Sequence, residues 1–308
     1  LRYGNRSDWL HGFPGDAKPY NELTAEVAGR NDLIVAVGVS CVLEIATLPP
    51  ECGVKVHNSR GVEPWIPDEM EEAWRLSMPR IVVGRHLVDL MRAAGSRDPI
   101  YVAHNGVDRH AYYPTRTQGD RRGVGVVYHG AEVKDPELLL AVVQRLSIER
   151  PQILLYVFGA YPKPRGLVRQ AVYTRLPRLP MARDIYSRCL VWFLTSRNEG
   201  LPNPLLEALA CDCAVVTTDC GGATDIIQHG SNGLIVPCGD TDAMVSAIGH
   251  LLDNAPLRKQ LRVNAESTLA EFTWPRAIDA FESALLDIAR QEDSARQAHR
   301  SPHEVLVA

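Results

Sequence analysis

The chain has 308 residues, of which 45% are apolar and 23% charged, and carries a net charge of −4. That length is about two ordinary domains, and the composition is that of a folded soluble protein rather than a disordered one. The negative charge excludes a nucleic-acid binder held by bulk charge, and no apolar run reaches the ~18 residues that cross a bilayer.

The chain begins at Leu1, and residues 1–30 mix Gly, Asn, Asp and Pro without a strand pattern. No charged start leads into an apolar signal segment, so a cytoplasmic protein is expected. Residues 32–38 form a short apolar run ending in Gly, which reads as a parallel strand buried on both faces. Residues 53–57 read as a second strand, 68–76 as a helix, 81–84 as a strand feeding a helix over 86–94, and 99–104 as the last strand of this half. A polar, Pro- and Gly-containing stretch over 113–122 reads as a linker.

The alternation then restarts. Strands are expected at 123–129, 153–158, 190–194, 215–218 and 233–236, with a helix over 135–150. Asp240 or Thr241 caps a helix whose apolar face is Met244, Ile248 and Leu251. A last helix begins near Thr273, with Pro275 in its first turn and Ile278, Phe281, Leu285 and Leu286 on its apolar face. Beyond Arg290 the chain is charged and is expected to be a loose tail. Two α/β domains with doubly wound parallel sheets follow, facing one cleft. Ligands in such sheets sit outside the carboxyl ends of the strands, at helix N-termini.

The stretch Ser196 to Ala210 follows an apolar strand and opens a helix, with Pro202 and Pro204 restricting the entry. A helix starting near Pro204 presents unpaired N–H groups and a positive dipole end to the cleft, which suits a diphosphate. Glu199 lies in the loop before that helix and Glu207 about one turn inside it, so the two carboxylates have different surroundings. Each alone has a plain reading, as a helix-dipole partner or a solvated helix residue. Their combination with Gly200, two prolines and a flanking strand favours a binding loop.

The segment EGLPNPLLEALACDCAVVTTDCGG, with Glu199 and Glu207 in an E-x7-E pair, resembles the donor-site motif of retaining glycosyltransferases of family 4, which have the GT-B fold. Residues 230–240, Phe272-Thr273-Trp274 and His104-Asn105-Gly106-Val107-Asp108 are similar to further segments of that family. Residues 32–38, 60–65 and 81–85 are similar to members that transfer rhamnose. The resemblance implies a GT-B fold of two Rossmann-like domains around a central cleft. It sets residues 1–117 as the acceptor-side domain, which reads as incomplete, 118–290 as the nucleotide-sugar domain and 291–308 as the tail. It also implies a metal-independent, retaining hexosyltransferase using a dTDP-, UDP- or GDP-sugar, with no cofactor beyond that co-substrate. In this reading Glu207 binds the ribose, and Glu199 with Lys134 does the chemistry. Lys134, Gly200, Leu201, Pro202 and Asn203 hold the donor sugar and its diphosphate. The acceptor is a glycan, a lipid-linked sugar or a small molecule. A non-catalytic nucleotide-sugar-binding subunit and a nucleotide-sugar epimerase on the same fold are the alternatives.

The chain departs from the family twice. Family members carry an arginine and a lysine after the first strand of the second domain, whereas Tyr128 to Asp135 contains Lys134 and no arginine, with His129 or Ala131 near its place. The family's opening strand and Gly-rich loop have no counterpart before Asp32. Seven cysteines, four of them between 211 and 238, lack zinc spacing, since Cys211-Asp212-Cys213 is C-x-C, and read as small buried thiols. Cys220-Gly221-Gly222 is not a dinucleotide fingerprint and reads as a close backbone approach. His57, His86, His104 and His129 are cleft candidates. Between Lys163 and Arg188 seven basic residues stand against Asp184 alone, either a solvated face or a surface for anionic acceptors and the inner membrane leaflet.

Overall fold

A computed structural model describes residues 23–299, so the expectations for residues 1–22 and 300–308 lie outside the described residues. A short helix, α1 (Ala25–Ala28), precedes the first sheet; Thr24 caps it by accepting from the Val27 N–H at 3.3 Å. The first sheet contains β1 (Leu33–Val37), β2 (Val54–Ser59), β3 (Arg80–Val82) and β4 (Ile100–Val102), all parallel and in that order. Between them run α2 (Val39–Ala46), α3 (Pro67–Arg75) and α4 (Arg85–Ala93). Helix α2 is not among the elements expected from the sequence; Val39, Val42 and Ile45 form its buried face at helical spacing.

Strand β1 corrects one expectation. It is the edge of its sheet among the described residues, and Val37 is 51% exposed, so the strand is not buried on both faces. Buried Arg80 ends α3 instead of pairing with an acid at short range: its guanidinium donates to the Trp74 and Leu76 carbonyls at 2.8 and 2.6 Å.

The expected linker is anchored. Arg121 is fully buried and donates to the carbonyls of Cys189, Asp212 and Arg116 at 3.1–3.2 Å. The second sheet follows, with β5 (Gly123–Tyr128), β6 (Leu154–Gly159), β7 (Val172–Arg175), β8 (Cys189–Leu194), β9 (Ala214–Thr218) and β10 (Leu234–Val236). Its helices are α5 (Pro136–Glu149), α6 (Leu179–Arg188), α7 (Asn203–Ala210), α8 (Ala223–Ile226), α9 (Thr241–Asp253), α10 (Ala255–Glu271) and α11 (Trp274–His299). The strand order is β10-β9-β8-β5-β6-β7, all parallel, so the winding reverses at β5.

Helices cover both faces of this sheet, as the near-continuous apolar strands require. Along β8, Val191 and Phe193 pack with Leu139 and Val142 of α5 and Ile248 of α9. Trp192 and Leu194 point the other way, toward Tyr186 and Leu205. The expected face of α9 (Met244, Ile248, Leu251) is fully buried.

Helix α11 is different. Ile278 is 60% exposed and Leu286 is also exposed, whereas Ala284 and Ile288 are buried against Val56, Ile81 and Ala103 of the first domain. The helix crosses back between domains, so its buried stripe is set by the first sheet. It also continues through residues 291–299, which were expected as loose tail; Arg, Gln, Glu and Ala there are good helix formers.

Candidate functional site

The reversal at β5 opens a crevice between the carboxyl ends of β5 and β8, where open α/β sheets take ligands. The loop leaving β5 makes a tight turn over Glu132–Lys134, then enters α5 through Asp135 in the left-handed region (φ 48°). The Asp135 carboxylate accepts from the Leu138 N–H at 3.0 Å, which caps α5 and secures the turn. Hydrogen bonds lash this loop to the one leaving β8: Arg197 N–H donates to the Val133 carbonyl at 2.8 Å, and the Thr195 hydroxyl to the Lys134 carbonyl at 3.0 Å.

This lashing brings Lys134 and Glu199 together across 65 residues of sequence. Lys134 Nζ lies 2.6 Å from Glu199 Oε2, and the Ser196 hydroxyl donates to Oε1 at 2.7 Å. The pair is half-sheltered, with the Glu199 side chain 11% and that of Lys134 32% exposed. On its far side Glu199 is fixed by backbone: its N–H donates to the Cys220 carbonyl at 2.8 Å, and the Gly222 N–H to its own carbonyl at 3.0 Å. Both Glu199 oxygens are thus engaged, and Lys134 keeps two donors for an anion.

Glycines form the contact between domains beside this pair. A Cβ on Gly200 would lie 2.0 Å from the Arg60 carbonyl oxygen, and one on Gly84 or Gly222 about as close to the Gly200 carbonyl oxygen. Bare backbone is what lets the domains approach this closely. Leu201 and Pro202 are buried, and α7 begins at Asn203 with no side-chain cap. Asn203 Oδ1 accepts from Asn105 Nδ2 at 3.0 Å, joining the helix start to the end of the first domain.

Glu207 keeps separate company. Its Oε2 accepts from the Tyr186 hydroxyl at 2.7 Å, and Tyr112 also bonds the carboxylate. Burial pushes the Glu207 carboxyl up, and the two tyrosine hydrogen bonds only partly offset this. Glu199 and Lys134 are thus directly joined, whereas Glu207 sits on a tyrosine pair.

His129 does not supply the missing arginine's charge. Its Nδ1 accepts from the Ala131 N–H at 3.1 Å, its ring lies edge-on to Tyr161, and burial, aided by Lys134, lowers its pKa. Arg197 is a cation on the Glu199 loop itself: it is exposed, with Nε 3.0 Å from Asp135 Oδ2.

Sequence reading missed Asp225, which pins the domains together by accepting from the Arg85 N–H at 2.6 Å and lying 3.2 Å from His104 Nε2. Burial raises its carboxyl pKa, but those hydrogen bonds and charges outweigh burial and hold it below the usual value. Beside it a cavity of about 590 Å³ opens between β4, α8 and α11. The only sequence signal for Asp225 is its place just after Cys220-Gly221-Gly222. His86 packs its ring against Gly221, with neither nitrogen partnered.

Two parallel-sheet domains meeting at this crevice define the GT-B class. Residues 123–254 match the family described as "Glycosyl transferases group 1". A "D-inositol 3-phosphate glycosyltransferase" of Stackebrandtia nassauensis is 29% identical over 243 residues, 70% of this chain and 54% of its own length. The chain spans about half the length of the curated relatives it matches. Among solved structures, Anabaena HepE in complex with UDP-glucose has a TM-score of 0.69 at 17% identity, covering 85% of this chain and 79% of its own. Sucrose-phosphate synthase from Thermosynechococcus elongatus has a TM-score of 0.68 at 17% identity, covering 87% and 74%. Both likenesses are of fold.

Proposed function

We propose that this chain is a retaining, metal-independent glycosyltransferase that moves a sugar from a nucleotide-diphosphate donor to a hydroxyl acceptor. The observation that carries the reading is the Lys134–Glu199 pair at the reversal of the second sheet, beside the uncapped start of α7. Lys134 and Arg197 face the diphosphate, together with the free N–H groups of α7, and Glu199 and the backbone of Gly200 and Leu201 hold the sugar. Pro202 and Asn203 set that helix start. Glu207, its carboxylate held by Tyr186 and Tyr112, takes the ribose hydroxyls.

In the transfer the acceptor oxygen bonds to the anomeric carbon as the bond from that carbon to the phosphate oxygen breaks. The diphosphate leaves with the electron pair, and the acceptor proton passes to it on the same face of the sugar. Glu199 stabilises the positive charge that develops on the ring. Closure of the domains over the site excludes water and limits donor hydrolysis. The relative's name points to a phosphorylated polyol as acceptor. No helix among the described residues is long and apolar enough to cross a membrane. Exposed Leu176, Leu179 and Met181, set among Arg175, Arg178 and Arg169, suit contact with an anionic leaflet.

Calorimetric titration with UDP, dTDP and GDP, beside Glu207→Ala, tests the reading. One nucleotide should bind preferentially, and the substitution should weaken it on the order of tenfold or more, about 1.4 kcal/mol. Folded protein that binds none of the three would refute it and favour a non-catalytic role.

A further inference from the structure

The cavity of about 590 Å³ beside Asp225 stands apart from the proposed donor site: none of Lys134, Glu199 and Glu207 lines it. Its walls come from both domains and from the helix that joins them. Arg85 of α4 and His104, just after β4, belong to the first domain; Gln228 and Glu271 belong to the second; Arg276 stands in the first turn of α11. The volume lies within the range of small-molecule sites, ~300–1,000 Å³.

The charges in its wall are unevenly committed. Asp225 accepts from the Arg85 N–H at 2.6 Å and lies 3.2 Å from His104 Nε2, and Glu271 accepts from Arg276 at 2.6 Å. Both carboxylates are thus engaged. The guanidiniums have donors to spare. That of Arg85 lies 3.9 Å from Asp225 Oδ1, beyond hydrogen-bond reach, and its side chain is 71% exposed. Arg276 meets Glu271 in a pair exposed on both sides, which is worth little in water and gives way readily to a ligand. Beside these groups Val102, Ala277 and Ala280 are half-buried and form an apolar strip.

Such a lining discriminates among ligands. A metal cation would meet two guanidiniums and two carboxylates already bonded. A hydrocarbon chain would cover Arg85, His104 and Gln228 without answering any of them. A small organic anion fits both parts: its charged group takes the planar donors of a guanidinium, which match carboxylate and phosphate alike, and its carbon body lies on Val102 and the two alanines. We propose that this cavity is a second ligand site, taking a small carboxylate or phosphate monoester held between Arg85 and Arg276. A ligand there touches both domains at once, so its binding favours the domain arrangement in which these walls face one another.

The test uses the full chain, with glycerol 3-phosphate and succinate as the phosphate and carboxylate probes and glycerol as the neutral comparator, followed by calorimetry and amide hydrogen exchange. At least one anion should bind and glycerol should not; the tighter anion shows which acid group the site takes. Exchange should slow at the start of α4, over α8 and at the start of α11. Arg85→Gln and Arg276→Gln, both at exposed side chains, should each weaken binding by about fivefold to tenfold, with melting curves showing that the variants fold. Glu271→Gln, which frees Arg276 and removes a negative charge, should strengthen it. Lys134→Ala, in the donor loop, should leave it unchanged. Binding of neither anion, equal binding of glycerol, or affinity undiminished by both arginine substitutions would overturn the proposal. So would binding lost with Lys134→Ala alone, which would place the anion at the donor loop instead.

Discussion

Gly84→Ala probes the contact between domains without touching the nucleotide site. Gly84 is extended, at φ −144° and ψ 145°, so alanine suits its backbone. What the new methyl meets is the Gly200 carbonyl oxygen, 2.2 Å from the added Cβ. Carbon–oxygen contacts begin near about 3.3 Å, so the loops must part by roughly 1 Å. Misplacement of about 1 Å at a reacting centre costs on the order of 10²-fold in rate, about 2.7 kcal/mol. Transfer from the preferred nucleotide sugar should fall by that factor, while calorimetry on the same sample gives nucleotide affinity within about twofold of the parent. A melting curve confirms that the variant is folded. Parental transfer rates in folded Gly84→Ala would refute the argument that close approach at Gly200 assembles the site.

Three other substitutions test separate parts of the structure. Glu207→Gln removes a charge whose pKa burial raises, so the ionised form burdens the fold once pH passes above the ordinary carboxylate value. The variant should gain thermal stability relative to the parent between acid and neutral pH, yet bind nucleotide roughly tenfold or more weakly, read by melting curves and calorimetry. Asp225→Asn should lower the melting temperature at neutral pH; because the native carboxyl lies below its ordinary value, that gap should close as pH falls through the native value. Trp192→Ala empties the most voluminous fully buried side-chain site and should cost about 3–5 kcal/mol in urea unfolding, with no change expected in which nucleotide is preferred.

The sequence by itself determined the alternation of strands and helices, the buried face of α9, and the Glu199 loop leading into a helix. Those features follow from local periodicity, from Pro and Gly chemistry and from a family motif, all of which can be read within a window of about twenty residues. It did not reveal α2, or β7, a four-residue edge strand with little apolar signal. Only the tertiary structure decided which strands are neighbours. Pairing β5 with β8 is what places Lys134 on Glu199, and no spacing rule links residues 65 apart. The same holds where domains meet: α11 buries Ala284 and Ile288 rather than Ile278 and Leu286 because the first sheet lies on that side. Asp225 became a pin only when Arg85 and His104 were brought to it. Periodicity tells a helix which stripe is greasy; the surface it meets decides which part of that stripe is covered.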